Sequence, residues 1–198
     1  MKLVLATQNP KKLKEMNEIL SHLGVEVVSE AELGVRIEVE ETGETFTDNA
    51  RLKATTVMQA TGLPAVADDS GLCVDALNGG PGVYSARFGG EGLDDKGRYT
   101  LLLEMLRGQT DRAAHFHTSI VCAFPNGDEL VCEGECPGTI AFAPMGEGGF
   151  GYDPVFFVPE LRKTFGQLTA EEKASVSHRG KALRAFAAAL DDYLKGNE

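Results

Sequence analysis

Basic residues are scarce in this chain. Nineteen Lys and Arg stand against 30 Asp and Glu, a formal net charge of −11. That balance disfavours a protein that grips nucleic-acid backbone, whose affinity comes from clustered Lys and Arg. It also makes a local group of cations notable, because such a group works against the overall field. Long hydrophobic runs are missing too. The longest apolar stretches fall far below the span of a membrane helix, and no signal peptide is read ahead of the first strand, so no membrane partner is expected. Cysteine is sparse and unpatterned: Cys73, Cys122, Cys132 and Cys136 contain no Cys-x-x-Cys pair. The spacing of Cys132 and Cys136 is one that sometimes binds metal, but no paired histidines follow it. Cys122 and Cys132 fall in apolar, strand-like runs where a reduced, buried thiol is expected. The compartment read from this is the reducing cytoplasm. Also absent are a Walker A sequence, a Rossmann Gly-x-Gly-x-x-Gly, a Gly-x-Ser-x-Gly and a His pair for zinc, which excludes the classes those motifs mark.

What is present is an ordinary globular composition, 42% apolar and 25% charged over 198 residues. This predicts one domain spanning residues 1–198, long enough to bury a sizeable core. No internal repeat, low-complexity segment or long linker divides it. The most informative stretch is Ala67-Asp68-Asp69-Ser70-Gly71-Leu72, directly after the apolar run Leu63 to Ala67. That run reads as a buried strand delivering two carboxylates to a sheet's carboxyl edge, where open α/β sheets bind ligands. Taken alone, Asp-Asp-Ser also reads as an Asx turn. Adjacent carboxylates repel, and a divalent cation, a cationic side chain or a shared proton must offset the repulsion. A hard cation such as Mg²⁺ takes oxygen ligands and usually arrives with substrate phosphates. Glu40 or Glu41, from the acidic loop Glu38–Glu44, can fold back to complete an oxygen-only site with Asp68 and Asp69.

Cations are placed where anions bind. Lys2 to Ala6 reads as a strand, followed by Thr7-Gln8-Asn9-Pro10-Lys11-Lys12 and a helix from Pro10 to Leu23 with Asn9 as N-cap. Lys11 and Lys12 in the first turn oppose the helix dipole, a conflict that a bound phosphate repairs. A helix predicted over 45–61 carries the inward stripe Phe46, Asn49, Ala50, Lys53, Val57 and Ala60. An amide and an ammonium on such a stripe require partners. The closing helix, from His178 or Arg179 to Leu194, again crowds His178, Arg179 and Lys181 at its positive end, with Ser177 as its N-cap. The glycine-rich loop Gly146–Pro154 presents Phe150, a ring that a flat ligand can stack on. Two strands, 113–124 and 129–141, joined by Pro125-Asn126-Gly127-Asp128, predict an antiparallel pair that builds a second lobe with a cleft beside it. Together these features describe a cleft for a Mg²⁺-bound nucleoside polyphosphate.

The motifs resemble those of the inosine/xanthosine triphosphate pyrophosphatases, which remove non-standard purine nucleotides. The resemblance spans essentially the whole chain. It rests on Leu5-Ala6-Thr7-x-Asn9-x-x-Lys12, Thr45-Phe46-x-x-Asn49-Ala50-x-x-Lys53-Ala54 and Ala67-Asp68-Asp69-Ser70-Gly71-Leu72. Further matches are Pro81-Gly82-Val83-Tyr84-Ser85-Ala86-Arg87, Gly149-Phe150-Gly151-Tyr152-Asp153-Pro154 and Ser177-His178-Arg179-Gly180. Gln8 departs from the glycine common at that position in the family.

The resemblance implies an α/β fold, a long mixed sheet with helices forming two lobes around a central cleft, and a homodimer. It implies hydrolysis of ITP, dITP or XTP between the α- and β-phosphates, giving the monophosphate and pyrophosphate. Asp69 would be the general base and would hold Mg²⁺ with Asp68 and Glu40 or Glu41. Thr7, Gln8, Asn9, Pro10, Lys11, Lys12, Lys53 and Ser70 would line the phosphates. Phe150, Gly151, Tyr152, Asp153, Lys173, His178 and Arg179 would contact the purine and its 6-oxo edge. Two other readings stand beside this one: a pyrophosphatase for modified pyrimidine nucleotides, and a nucleotide sensor without turnover. A third chemistry would make Asp68 or Asp69 a nucleophile.

Overall fold

In the computed structural model, which describes residues 1–7 and 9–196, the chain forms an open, mixed sheet flanked by helices. The order of the main path is β2-β1-β3-β5-β6-β7-β8, with the short β4 paired to β3. The strands are β1 (Lys2–Leu5), β2 (Glu26–Ser29), β3 (Ala65–Val74), β4 (Gly80–Pro81), β5 (Ala113–Ala123), β6 (Glu129–Ile140), β7 (Phe156–Val158) and β8 (Lys163–Thr164). The helices are α1 (Pro10–Leu20), α2 (Phe46–Thr61), α3 (Asp95–Met105), α4 (Ala170–Val176) and α5 (His178–Gly196). The chain divides into two compact units. The first holds Met1–Asp69, Thr118–Gly134 and Lys181–Glu198, and the second Ser70–His117 and Glu135–Gly180.

The first unit is built on β1, whose Leu3, Val4 and Leu5 are fully buried. β1 pairs in parallel with β2, Lys2↔Glu26 through Leu5↔Ser29, and with β3 at Val4↔Ala65 and Leu5↔Val66. Parallel neighbours need crossovers, and α1 and α2 supply them. Alternate side chains of β1 pack on different helices. Leu3 and Leu5 meet Met16 and Leu20 of α1 and Leu183, Phe186 and Leu190 of α5. Val4 meets Val57 of α2, with Val28 and Ala65. A strand buried on both faces explains why β1 reads as a continuous apolar run.

Helix ends follow local chemistry. Asn9 caps α1 by accepting from the Lys11 amide, and Pro10 takes the first helical position. The α-helical part ends at Leu20, and Ser21–Leu23 continue as one 3₁₀ turn, so the predicted helix to Leu23 is α-helical in all but its last turn. Thr45 and Asp48 form a reciprocal capping box on α2, and Gly62 closes it in the left-handed region.

The second unit packs Leu72 and Val74 of β3 against Leu102 and Leu106 and a cluster of aromatic rings. Phe116 lies edge-on to Phe156 at 4.6 Å and parallel to Phe165 at 5.6 Å. Arg112, nearly buried, donates from its guanidinium to the carbonyls of Leu106, Ile140 and Ala141, tying the turn after α3 to the end of β6.

Four expectations need correction. Asp68-Asp69-Ser70 is not a turn: β3 runs straight through it to Val74. The carboxylates therefore sit within a strand, although past the last β1 partner, Val66. β5 and β6 are adjacent, as expected, but each is divided between the two units, so the pair does not make a second lobe by itself. Ala60, placed on the inward stripe of α2, is exposed, while Ala54 is buried. Finally, α4 lies where no helix was predicted. All four cysteines are free thiols, and Cys122, Cys132 and Cys136 are buried.

Candidate active site

The first unit gathers a charged cluster around the end of its parallel strands. Asp68, almost wholly buried, accepts from Lys12 Nζ at 2.7 Å. One of the two first-turn lysines thus finds a carboxylate across the β1–α1 turn, which offsets its conflict with the helix dipole. Lys11 and Asn9 remain exposed, and the Thr7 hydroxyl accepts from the Asn9 amide. Gln8 lies outside the described residues. The turn brings Thr7, Asn9, Pro10, Lys11 and Lys12 together at one helix start.

Asp69 is held from α2. Lys53 Nζ lies 3.5 Å from Asp69 Oδ1, and donates to Glu41 Oε1 and to the Asp68 carbonyl, both at 2.8 Å. The side-chain amide of Asn49 donates to Asp69 Oδ2 at 3.2 Å. Burial, opposed by Lys53 and reinforced by Glu41, leaves the Asp69 carboxyl above the ordinary range for Asp. Burial alone would depress Lys53, but the charges of Asp69, Glu41 and Asp68 override it and hold the ammonium above its usual value. The inward amide and ammonium of α2 therefore have partners, and the partners are carboxylates.

The acidic residues do not form a closed metal cage. Glu40 is exposed, whereas Glu41 is drawn to Lys53. Among the described residues no three His, Cys, Asp or Glu side chains are grouped to hold a metal ion. The donors on offer, Asp69 and Glu41, are hard oxygens already faced by Lys53. That set suits Mg²⁺, which is usually bound through one or two carboxylates plus substrate phosphates and water, and not an ion that needs a cage built from protein alone. Ser70 follows on β3 and is half-buried.

The second unit assembles another group. Lys173 of α4 donates to Asp153 Oδ2, and the same oxygen accepts from the Phe150 amide at 2.9 Å. Burial pushes the Asp153 carboxyl up, with Lys173 and the Phe150 amide pulling against it. Gly149 has φ of +78°, and a Cβ there would lie 1.9 Å from Asp153 Oδ2, so only glycine permits this approach. Phe150 is 73% exposed, with the Lys173 ammonium 4.8 Å from its ring centre. The Gly151 amide is held by Asp95 Oδ2 at 2.7 Å. Tyr152 points inward, donating to the Ser85 carbonyl, and burial lifts its phenol to about 12. His178 stacks on Phe116 at 4.6 Å and 11°, and Ser177 caps α5 by accepting from the Gly180 amide. Phe165 lies beneath both Lys173 and His178, at 5.2 and 6.3 Å, and so joins the two ends of this group. Arg179 follows His178 and is half-buried.

Sequence reasoning overlooked Asp95 as the anchor of the Phe150 loop and the helix that carries Lys173. The second had a signal: Thr169 and Glu172 form a capping box immediately before that helix. Asp95 had none, because its partner is a backbone amide 56 residues away.

Comparison with known proteins bears on the whole chain. A dITP/XTP pyrophosphatase of an Exiguobacterium species is 50% identical over 196 residues, covering 99% of this chain and 100% of that protein. One from Thermus thermophilus is 53% identical over 194 residues, covering 97% and 93%. Among solved structures, a HAM1 protein from Coxiella burnetii superposes with a TM-score of 0.93 at 43% identity, covering 97% of this chain and 99% of that one. The Ham1 protein of Staphylococcus aureus gives 0.91 at 40% identity, with both chains fully covered. The family model described as the Ham1 family matches residues 3–189. This chain belongs to the Ham1 family.

Proposed function

We propose that this protein hydrolyses non-standard purine nucleoside triphosphates (ITP, dITP and XTP) to the monophosphate and pyrophosphate, clearing them from the nucleotide pool. The observation that carries the reading is a carboxylate, Asp69, held between the amide of Asn49 and the ammonium of Lys53. The near-full-length likeness to proteins named dITP/XTP pyrophosphatase supports the same activity.

Asp69 is the general base. It takes a proton from water, whose oxygen bonds to phosphorus while the bridging P–O bond of the α–β anhydride breaks. The electron pair leaves with pyrophosphate. A carboxyl held above the ordinary Asp range is the stronger base for that step. Lys12 and Lys53 supply positive charge to the phosphates, and Thr7, Gln8, Asn9, Pro10, Lys11 and Ser70 line them, the amides at the start of α1 serving as donors. Asp69, with Glu41 or Glu40 in support, would hold Mg²⁺, whereas Asp68, expected to join them, is turned to the other face of β3 and holds Lys12 instead. When bound, that ion polarises the water and spreads the charge of the phosphates.

Phe150 offers its exposed face to the base, beside Gly151 and Tyr152. Asp153 and Lys173, with His178 and Arg179, address its polar edge. A 6-oxo purine presents an acceptor where adenine presents a donor, so cations at that edge favour the former. Apart from Ser70, the phosphate residues belong to the first unit, and the base residues belong to the second. We also take the protein to be a homodimer in the cytoplasm. Its four free thiols accord with that compartment, and sedimentation should give twice the 21.2 kDa of one chain.

The test is pyrophosphate release from ITP, dITP, XTP, GTP and ATP with Mg²⁺, by wild type and Asp69→Asn. Rapid release from the first three and slow release from GTP and ATP are expected. Loss of general-base catalysis should lower kcat by about 10²- to 10⁴-fold in Asp69→Asn. Equal rates on all five substrates, or an unimpaired Asp69→Asn, would refute the reading.

A further inference from the structure

Asn49 is completely buried in the first turn of α2, and both ends of its amide are used. Its Oδ1 accepts from the Gly43 backbone amide at 2.8 Å. Its Nδ2 donates to Asp69 Oδ2 at 3.2 Å. With the oxygen committed to an N–H, the NH₂ has one direction left, and that direction is the Asp69 carboxylate. The Thr45 and Asp48 capping box fixes the turn of helix from which Asn49 projects. A second brace ties the same turn to the sheet, where the Thr47 hydroxyl meets Ser119 Oγ at 2.9 Å and Glu133 Oε1 at 3.0 Å. The amide is therefore carried on a rigid element and locked at its far end.

Gly43 completes the lock. A Cβ at Gly43 would stand 2.7 Å from Asn49 Oδ1, 2.7 Å from the Asp48 Cβ and 2.8 Å from the Asn49 backbone nitrogen. Two of those three atoms belong to the main chain or sit next to it, so they cannot swing aside as a side-chain tip can. The acidic loop seats on α2 only because residue 43 lacks a side chain. Its seating is what carries Glu41 to Lys53.

From this geometry we infer that Asn49 is a positioning residue for Asp69, and that Gly43 sets Asn49's orientation, so that loop, amide and carboxylate act as one unit. Asn49 is fully buried and acts through Asp69. It occupies Oδ2 of Asp69, so the oxygen left for the reacting water is Oδ1, which Lys53 Nζ faces at 3.5 Å. A carboxylate turned away by about 1 Å loses most of its effect on an in-line attack. The inference rests on the reading of Asp69 as the general base.

The experiment is steady-state kinetics on ITP with four variants: Asp69→Asn, Asn49→Leu, Gly43→Ala and the Gly43→Ala/Asn49→Leu double variant, each checked for folding by its melting temperature. Asn49→Leu keeps the volume and removes both polar ends. It is expected to lower kcat between about tenfold and a hundredfold with KM changed less than about twofold. Gly43→Ala, which alters no ionisable or substrate-facing side chain, should give the same pattern more mildly. In the Asn49→Leu background it should cost no further kcat, because both changes break one link.

A folded Asn49→Leu with wild-type kcat overturns the inference. So does a rise in KM at constant kcat, or a Gly43→Ala penalty that is equal in both backgrounds. Should Asn49→Leu fail to fold, Gly43→Ala decides alone: unchanged kcat overturns the inference, and reduced kcat at constant KM upholds it. Full kcat in Asp69→Asn instead overturns the general-base reading itself, which separates the two failures.

Discussion

Asp68 and Asp69 are neighbours in sequence with different environments. A strand turns successive side chains to opposite faces, so Asp68 meets Lys12 of α1 while Asp69 meets Lys53 of α2. Two like charges that would repel on one face are separated by the pleat, and each is matched with an ammonium. Lys53→Met removes the ammonium from Asp69 and Glu41 together, leaving carboxylates that are largely buried. The expected cost is roughly 3 kcal/mol of stability, read as a lower melting temperature, together with a drop in kcat/KM on ITP.

Asp153 allows a prediction in pH. Burial raises its carboxyl above the ordinary Asp value, so the fold binds that proton more tightly than the unfolded chain does. Its contribution to stability is then fully present below the ordinary Asp value and is lost as pH rises through the raised one. Asp153→Asn keeps an acceptor for the Phe150 amide and carries no titrating proton. Its melting temperature relative to wild type should therefore be higher at pH 8 than at pH 4. A difference that does not vary with pH would contradict the assignment.

At the level of elements, the loop that carries Phe150 is held by the residues beside the ring. Two successive amides, of Phe150 and Gly151, donate to Asp153 and Asp95, and Gly149 makes room for the first of these contacts. Gly149→Ala must displace Asp153. Purine substrates should then lose about tenfold in KM, the scale of one lost base–aromatic contact, while inorganic tripolyphosphate, which has no base, should be handled as before. Equal losses on both would show that the loop serves the phosphates. Arg112 gives a contrasting case. Its guanidinium satisfies three carbonyls, and Arg112→Met leaves them without that donor, for a loss of about 2–4 kcal/mol in stability with kcat unchanged at a permissive temperature.

Across the whole molecule, elements governed by local chemistry were the legible ones. The Asn9 cap with Pro10, the Thr45 cap of α2 and the apolar face of α5 all put their elements where the sequence pattern placed them. The strand through Asp68-Asp69-Ser70-Gly71 was not legible. Those residues carry turn chemistry, and β5 and β4 alongside override it by pairing β3 to its end. Ala60 shares the angular face of buried Phe46 and Asn49, but it lies in the last turn of α2, which is exposed, so spacing alone misplaced it.

The candidate site was legible in composition and less so in pairing. Asp68, Asp69, Lys12 and Lys53 were all singled out, but which carboxylate met which lysine depends on strand alternation that the turn reading concealed. The choice of Glu41 over Glu40 beside Lys53 follows from the contact of Gly43 with Asn49, which spans six residues and leaves no periodic trace.

The central claim is that this fold breaks the α–β anhydride with water. Phosphorus NMR of ITP incubated with the protein and Mg²⁺ tests it most directly. The account requires the resonances of IMP and pyrophosphate to rise together in equal amounts, with no orthophosphate and no IDP at early times. Orthophosphate and IDP as the first products would mean attack at the β–γ bond, and the phosphate roles given to Lys12, Lys53 and Asp69 would be wrong.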